Sequence, residues 1–156
     1  MNGCREAGNI AIVGNTMSQI LIEDATDSLN PDLLRGKMDT DGCGSLVTFI
    51  GLTRGIEDGS EVIHLEFDAW IEKLPDVLHS LAVQAIETYD VHSVAMSHRT
   101  GIVKPGENIV CIHVASPHRK EGFAACAWLI DELKAQAPLW KKEVRADGDH
   151  WKEGLG

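Results

Sequence analysis

Two stretches of this sequence gather side chains suited to handling an anion. SPHRKEG, residues 116–122, sets Ser116, His118, Arg119 and Lys120 where an apolar run gives way to a helical pattern. A helix start offers free backbone N–H groups and a partial positive charge, so a negative ligand is favoured there. Arg119 adds a two-pronged donor for phosphate, and His118 adds a donor or proton carrier near neutral pH. ELKAQAPLWKKE, residues 132–143, carries Lys134 before Pro138, and Trp140, Lys141 and Lys142 after it. If the break at Pro138 returns Lys141 toward Lys134, their charges repel, one pKa falls, and a neutral amine becomes available. The residues alone leave a second reading of each stretch. Ser116 is then an ordinary helix cap beside solvated His118 and Arg119. Lys134 then complements a helix C-terminus, with Lys141 solvated and Trp140 buried.

The cations stand out because the chain is acidic, with 24 Asp and Glu against 14 Lys and Arg and a net charge of -10. That balance argues against a general nucleic-acid or anionic-membrane surface, so any anion site is local. GxGxxG, GxxxxGK[ST] and GxSxG are absent, which removes the common nucleotide and serine-hydrolase signatures. The seven histidines show no HxH, HExxH or Cys/His spacing, so no metal site is expected. His64 and His113 fall within strand patterns and read as satisfied side chains, whereas His79 and His92 border a helix and read as solvent-facing. Four cysteines carry no CxxC; Cys111 and Cys126 lie in apolar stretches and read as small buried hydrophobes. A sulfur-carrying cysteine is the minority alternative. No apolar run approaches the ~20 residues of a membrane helix, and the first residues lack a secretory pattern. The expectation is a reduced, soluble, cytoplasmic domain.

The elements that must position these residues follow from periodicity. Residues 1–16 lack a clear pattern and are expected to form a loose extension, with Met1 and Met17 both open as starts. Residues 17–156 are read as one domain. SQILIED predicts a strand, and NPDLLRGKM a short helix opened by Asn30 and Pro31. GSLVTFIGLT predicts a strand, and EVIHLEFDAW another, with Ile63, Leu65, Phe67 and Ala69 on the buried face. RGIEDGS between them reads as a mobile hairpin loop carrying Arg54. Leu74, Val77, Leu78, Leu81, Ala85 and Tyr89 mark a helix, with Pro75 tolerable in its first turn. HSVAMSHRTG and NIVCIHVAS read as strands flanking GIVKPGE, whose Pro105-Gly106 pair suits a type II turn. KEGFAACAWLIDELKAQA predicts a helix with Phe123, Ala127, Ile130 and Leu133 inward, ended by Pro138. The class expected is α+β.

GSLVTFIGLTR, HLEFDAW, HRTGIVKPGE, VASPHRKEGFAACAWLIDELKAQAPLWKKE and DGDHW follow one another in this order. Together they resemble the large, catalytic subunit family of molybdopterin synthase, from about Met17 onward. The resemblance implies an α/β hammerhead-like fold with additional antiparallel β structure. It implies conversion of cyclic pyranopterin monophosphate into molybdopterin by sulfur transfer. The sulfur arrives as a thiocarboxylate on the C-terminal Gly-Gly of a small ubiquitin-like partner, and two large subunits form the homodimer core of a heterotetramer. By position, Lys134 matches the lysine that meets the partner's terminal glycine, and Lys141 the lysine beside the pterin. His118 and Arg119 match the pair that holds phosphate or pterin. Arg54 matches an arginine after the first core strand, on a loop open to contribution across the dimer. Lys142 is left as a solvated neighbour. No metal or cofactor is implied. The chain departs from the family pattern at FDAWIEKL, where Trp70 takes the aromatic position, and at GDHW, where His150 replaces the commoner arginine. Its ending, GLG, fits the acceptor and not the Gly-Gly carrier.

Overall fold

The computed structural model describes residues 10–13, 16–152 and 155. Ten strands and three helices follow in the order β1 Ile10–Val13, β2 Thr16–Ala25, α1 Pro31–Gly36, β3 Ser45–Leu52, β4 Ile56–Glu57 and β5 Ser60–Ala69. After these come α2 Leu74–Tyr89, β6 Ser93–Arg99, β7 Gly101–Val103, β8 Asn108–Ser116, α3 Arg119–Gln136, β9 Leu139–Arg145 and β10 Gly148–Lys152. One sheet runs β1-β2-β6-β8-β3, parallel only between β2 and β6. The second, all antiparallel, runs β10-β9-β5-β4, with β7 also on β5. The expected α+β class holds: a helix-covered sheet carries additional antiparallel β structure.

One apolar core joins the two sheets. Val94 and Met96 of β6 and Ile112 and Val114 of β8 meet Leu78, Leu81 and Ala85 of α2 and Ala125, Leu129 and Leu133 of α3. Leu65, Phe67, Val103 and Leu139 of the second sheet belong to the same cluster. On the opposite face of the first sheet, Leu34 of α1 packs with Leu21, Ala95 and Cys111. Asn30 caps α1 as expected, its Oδ1 accepting from the Asp32 and Leu33 amides at 3.1 and 3.2 Å.

Several sequence expectations change. Ile10–Val13, inside the segment expected to be loose, forms a strand paired with Thr16 to Gln19, because backbone pairing needs no amphipathic pattern. Residues 1–9 and 14–15 lie outside the described residues. In β5, Leu65 and Phe67 are buried as expected, but Ile63 faces solvent and Val62 is buried in its place. A register shift between Val62 and His64 explains it, since one extra residue in a bulge exchanges the faces beyond it. RGIEDGS forms the expected hairpin and contributes a short strand, β4, to it. Asp58 and Gly59, with φ of 50° and 76°, form a two-residue turn that pairs Glu57 with Ser60. Within GIVKPGE, Gly101–Val103 becomes β7 and crosses to the second sheet. Gly106, at φ 84°, then closes the turn, with the Glu107 amide on the Lys104 carbonyl.

The inward face of α3 also differs. Gly122, Ala125, Cys126, Leu129 and Leu133 are buried, whereas Phe123 is 62% exposed and Ala127 also faces solvent. Small residues let the helix start lie close to the sheet: a Cβ on Gly122 would stand 2.9 Å from Ser116 Oγ and 3.1 Å from Val47 Cγ2. The helix ends as expected. Ala137 is extended ahead of Pro138, and the Pro138 carbonyl accepts from the Trp70 amide at 3.0 Å. That bond launches β9 alongside β5.

Gly44 fixes the start of α3 by a close backbone approach. Its amide donates to the Ser116 and Pro117 carbonyls, both at 3.2 Å, and an added Cβ would stand 2.7 Å from the Pro117 oxygen. Gly44→Ala is expected to lower unfolding stability by about 1–3 kcal/mol in urea titrations. Gly36→Ala, with open space around the added methyl, is the control and should change stability by less than about 0.5 kcal/mol.

Candidate active site

Antiparallel register decides which lysine faces inward after Pro138. Lys141 pairs with Phe67 on one side and with Lys152 on the other. Directly opposed residues share a sheet face, so both lysines lie on the core side with Phe67. Two residues on, Glu143 pairs with Leu65 on that same face. The end of α3 brings Leu133 and Lys134 against it, and β3 and β8 add Phe49, Leu52 and Val110. Together they enclose a cavity of about 420 Å³ that Arg54 and Glu57 also line. That size suits one small ligand.

The polar wall is organised around one buried ion pair. Glu143, 5% exposed, accepts from Arg145 Nε at 2.8 Å and Nη2 at 2.6 Å, and Lys152 Nζ stands 3.7 Å away. Arg145 reaches Asp58 at 3.3 Å, and Arg54 reaches Glu57 at 3.3 Å. Lys134 and Lys141 make no ion pair among the described residues. Burial holds the Lys141 amine below the ordinary lysine range; Lys152 and Lys134 push the same way, against Glu143 and Glu57. The approach of Lys141 to Lys134 is as expected, but desolvation leads and repulsion is secondary.

The other predicted residues lie elsewhere. His118 is the N-cap residue of α3 without a side-chain capping bond, and Arg119 opens the helix; both are exposed. Arg119 and Lys134 are separated by fifteen residues of helix, about 22 Å at 1.5 Å per residue. One chain therefore does not bring His118 and Arg119 to the cavity that Arg54, Lys134 and Lys141 share. Ser116 is not the cap: it is fully buried, and its hydroxyl donates to the His118 carbonyl at 2.6 Å. Lys142 is on the outer face of β9, paired with Glu66 at 2.9 Å and set over the Trp151 ring. Trp140 is 52% exposed on that face. His150 is engaged by Asp147 at 3.1 Å.

Sequence reasoning missed Lys152, Glu143, Arg145 and His98. Lys141, Glu143 and Arg145 alternate as one face of a strand does, but without a strand after Pro138 that period went unread. His98, at the end of β6, lines the cavity and is 4% exposed. Its ring stands edge-on to Phe67, centroids 5.1 Å apart. Burial, with a smaller effect of Lys141, pulls its pKa down to about 4, against the hydrogen bond to the Arg99 carbonyl.

The cavity, on a two-sheet α+β scaffold, is lined by four cations, Arg54, Lys134, Lys141 and Lys152, against two carboxylates, Glu57 and Glu143. The MoaE protein family model matches residues 24–136, and the chain belongs to that family. A molybdopterin synthase catalytic subunit from Arabidopsis thaliana is 44% identical over 110 residues, covering 70% of this chain and 56% of the relative. The match thus spans little over half of that relative's length. One from Ralstonia nicotianae is 34% identical over 135 residues, covering 86% of this chain and 77% of its own length. The crystal structure of molybdopterin synthase from Staphylococcus aureus superposes with TM-score 0.80 at 27% identity, covering 84% of this chain and 96% of that one.

Because the folded His98 pKa of about 4 lies below its ordinary 6.5, the unfolded chain binds a proton that the folded chain refuses between those values. Stability therefore falls as pH drops from 6.5 toward 4. Between pH 7 and 5 the loss from His98 is on the order of 2 kcal/mol. Urea unfolding of His98→Gln should show a correspondingly shallower pH dependence than the parent.

Proposed function

We propose that this chain is the catalytic subunit of a molybdopterin synthase. In this reading it transfers sulfur from the C-terminal thiocarboxylate of a small ubiquitin-like partner to cyclic pyranopterin monophosphate, forming the dithiolene. The observation that carries it is the convergence of Lys134, Lys141 and Arg54 on one cavity of about 420 Å³ in an otherwise acidic protein. Sulfur attack on the pterin side chain creates anionic intermediates, and fixed cations in a partly dry site stabilise those best. Each transfer exchanges one sulfur for one oxygen, so the partner leaves as a carboxylate. Lys134, which lines the cavity and is exposed, meets the incoming tail. Lys141, desolvated beside Phe67, serves the pterin as acid, base or counter-ion according to its protonation. No step of this reading calls on a metal or bound cofactor. A cytoplasmic location suits the free thiols, and no helix among the described residues is long and apolar enough to cross a membrane.

His118 and Arg119 enter this reading from a second copy. Their distance from Lys134 along α3 keeps them off a pterin held in their own chain, whereas a homodimer can present them to the neighbour's cavity. A cysteine-persulfide route is disfavoured by the thiols themselves. Burial pushes Cys111 up to about 12 and Cys126 up to about 11, and burial with Asp39 and Asp41 raises Cys43. Thiolates, not thiols, carry sulfur.

With thiocarboxylated partner and precursor, Lys134→Ala and Lys141→Ala should each lose about 10²-fold or more in turnover. Lys134→Ala should still bind the partner, and a folded Cys43, Cys111 and Cys126 triple Ser variant should keep turning over. Failure of the parent to make dithiolene would end the enzyme reading. Mixing refolded Lys141→Ala and Arg119→Ala chains should restore about a quarter of parental activity, because random pairing leaves one intact shared site in half the dimers. No recovery would place both residues in one chain's site.

A further inference from the structure

Most polar groups around the cavity are already engaged. Glu143 is held by Arg145, and Glu57 by Arg54, each through Oε2, and both carboxylates carry a negative charge toward any anionic ligand. Lys134 and Lys141 can only donate hydrogen bonds while charged. A flat heterocycle with ring and amino N–H groups needs acceptors, and cations supply none.

Among the described residues lining the cavity, His98 is the one neutral side chain that can accept a hydrogen bond. Its Nδ1 lies 2.7 Å from the Arg99 carbonyl oxygen. A carbonyl only accepts, so the hydrogen sits on Nδ1 and Nε2 keeps its lone pair. No group among the described residues donates to Nε2. Nor is Nε2 one of the sealed polar atoms without a partner, which are Ser18 Oγ, Arg99 Nε and Glu121 Oε2. It is therefore reachable from a cavity: His98 borders both the Lys141 cavity and a smaller one of about 60 Å³ beside Leu74 and Leu78, and Phe67, against which its ring packs, lines the first. The ring packs on Phe67, which is the cross-strand neighbour of Lys141, so His98 belongs to the Lys141 end of the site. Burial keeps the ring neutral well below pH 6; an imidazolium there would offer one more donor and one more positive charge.

We propose that His98 determines specificity in this cavity: Nε2 accepts a hydrogen bond from an N–H of the heterocyclic ring bound beside Lys141, while the lysines face its anionic groups. The inference rests on the pterin reading above and names the residue that reads the ring. A ligand lacking that N–H leaves a buried acceptor unpaired and is rejected accordingly.

The test uses the wild-type full chain with ¹⁵N-labelled histidine, assembled with unmodified small partner and followed by long-range ¹H–¹⁵N NMR. Adding cyclic pyranopterin monophosphate should move the His98 Nε2 resonance upfield, as lone-pair hydrogen bonding does, and leave Nδ1 in place. Adding the small partner alone, whose tail also carries amide N–H groups, should leave Nε2 unmoved. In steady state, His98→Asn keeps a donor toward Arg99 and loses the Nε2 acceptor. It should raise KM for the pterin by about 10-fold or more, with kcat within about threefold. His98→Gln, which places an oxygen near Nε2, should recover most of that affinity. A purely structural role would instead lower the folded fraction of both variants with no KM-against-kcat split. The proposal is overturned if Nε2 does not respond in the unmodified complex although the same chain turns over with thiocarboxylated partner, or if the partner's tail shifts it instead. A wild-type chain that makes no dithiolene with thiocarboxylated partner would overturn the function reading itself, a separate outcome.

Discussion

The site depends on the register between β9 and β5. With Phe67 opposite Lys141, the inward face of β9 presents Leu139, Lys141, Glu143 and Arg145, and the outward face presents Trp140 and Lys142. A slip of one residue would exchange these sets, turning Trp140 and Lys142 inward and Lys141 to solvent. Three local features fix the register: the Pro138 carbonyl on the Trp70 amide, the bulge between Val62 and His64, and the tight β9–β10 hairpin. Apolar burial of Leu65, Phe67 and Leu139 gives the pairing its energy. The lysine is carried inward with them.

Burying a cation without a partner is costly unless its charge is relieved. In this cavity the relief is partial. Glu143 is the leading countercharge, but its Oε2 is committed to Arg145 and Lys152, and it makes no ion pair with Lys141. The result is an amine held on the low side of its usual range, ready to meet a ligand's negative charge. In an acidic chain, a cavity that gathers Arg54, Lys134, Lys141 and Lys152 also gives an anion a local place to go.

Much of this was readable in the sequence where local rules govern. Asn30-Pro31, the stripe of α2, the stop at Pro138 and the α+β class each follow from cap chemistry or periodicity. Lys134 and Lys141 stood out by their place around the proline, and the motif order tied them to a family. What could not be read is set by contacts distant in sequence. The face that α3 buries depends on how closely Gly122 can approach Val47 and Ser116, which a 3.6-residue pattern does not encode. The exchange of Val62 for Ile63 comes from pairing with β9, eighty residues away. His98 looked like any strand histidine until Phe67 and Lys141, from other strands, were placed around it. His118 and Arg119 on one side and Lys134 on the other, close as motifs, lie at opposite ends of one helix.

Burial, and only secondarily repulsion, lowers the Lys141 pKa. Titrating ¹³C-dimethylated lysines by NMR in the parent and in Lys134→Met tests it directly. Lys141 should titrate below the ordinary value of 10.5 in the parent and regain only the smaller part of the difference when Lys134 is removed. Titration at or above 10.5 in the parent, or full recovery in Lys134→Met, would contradict it.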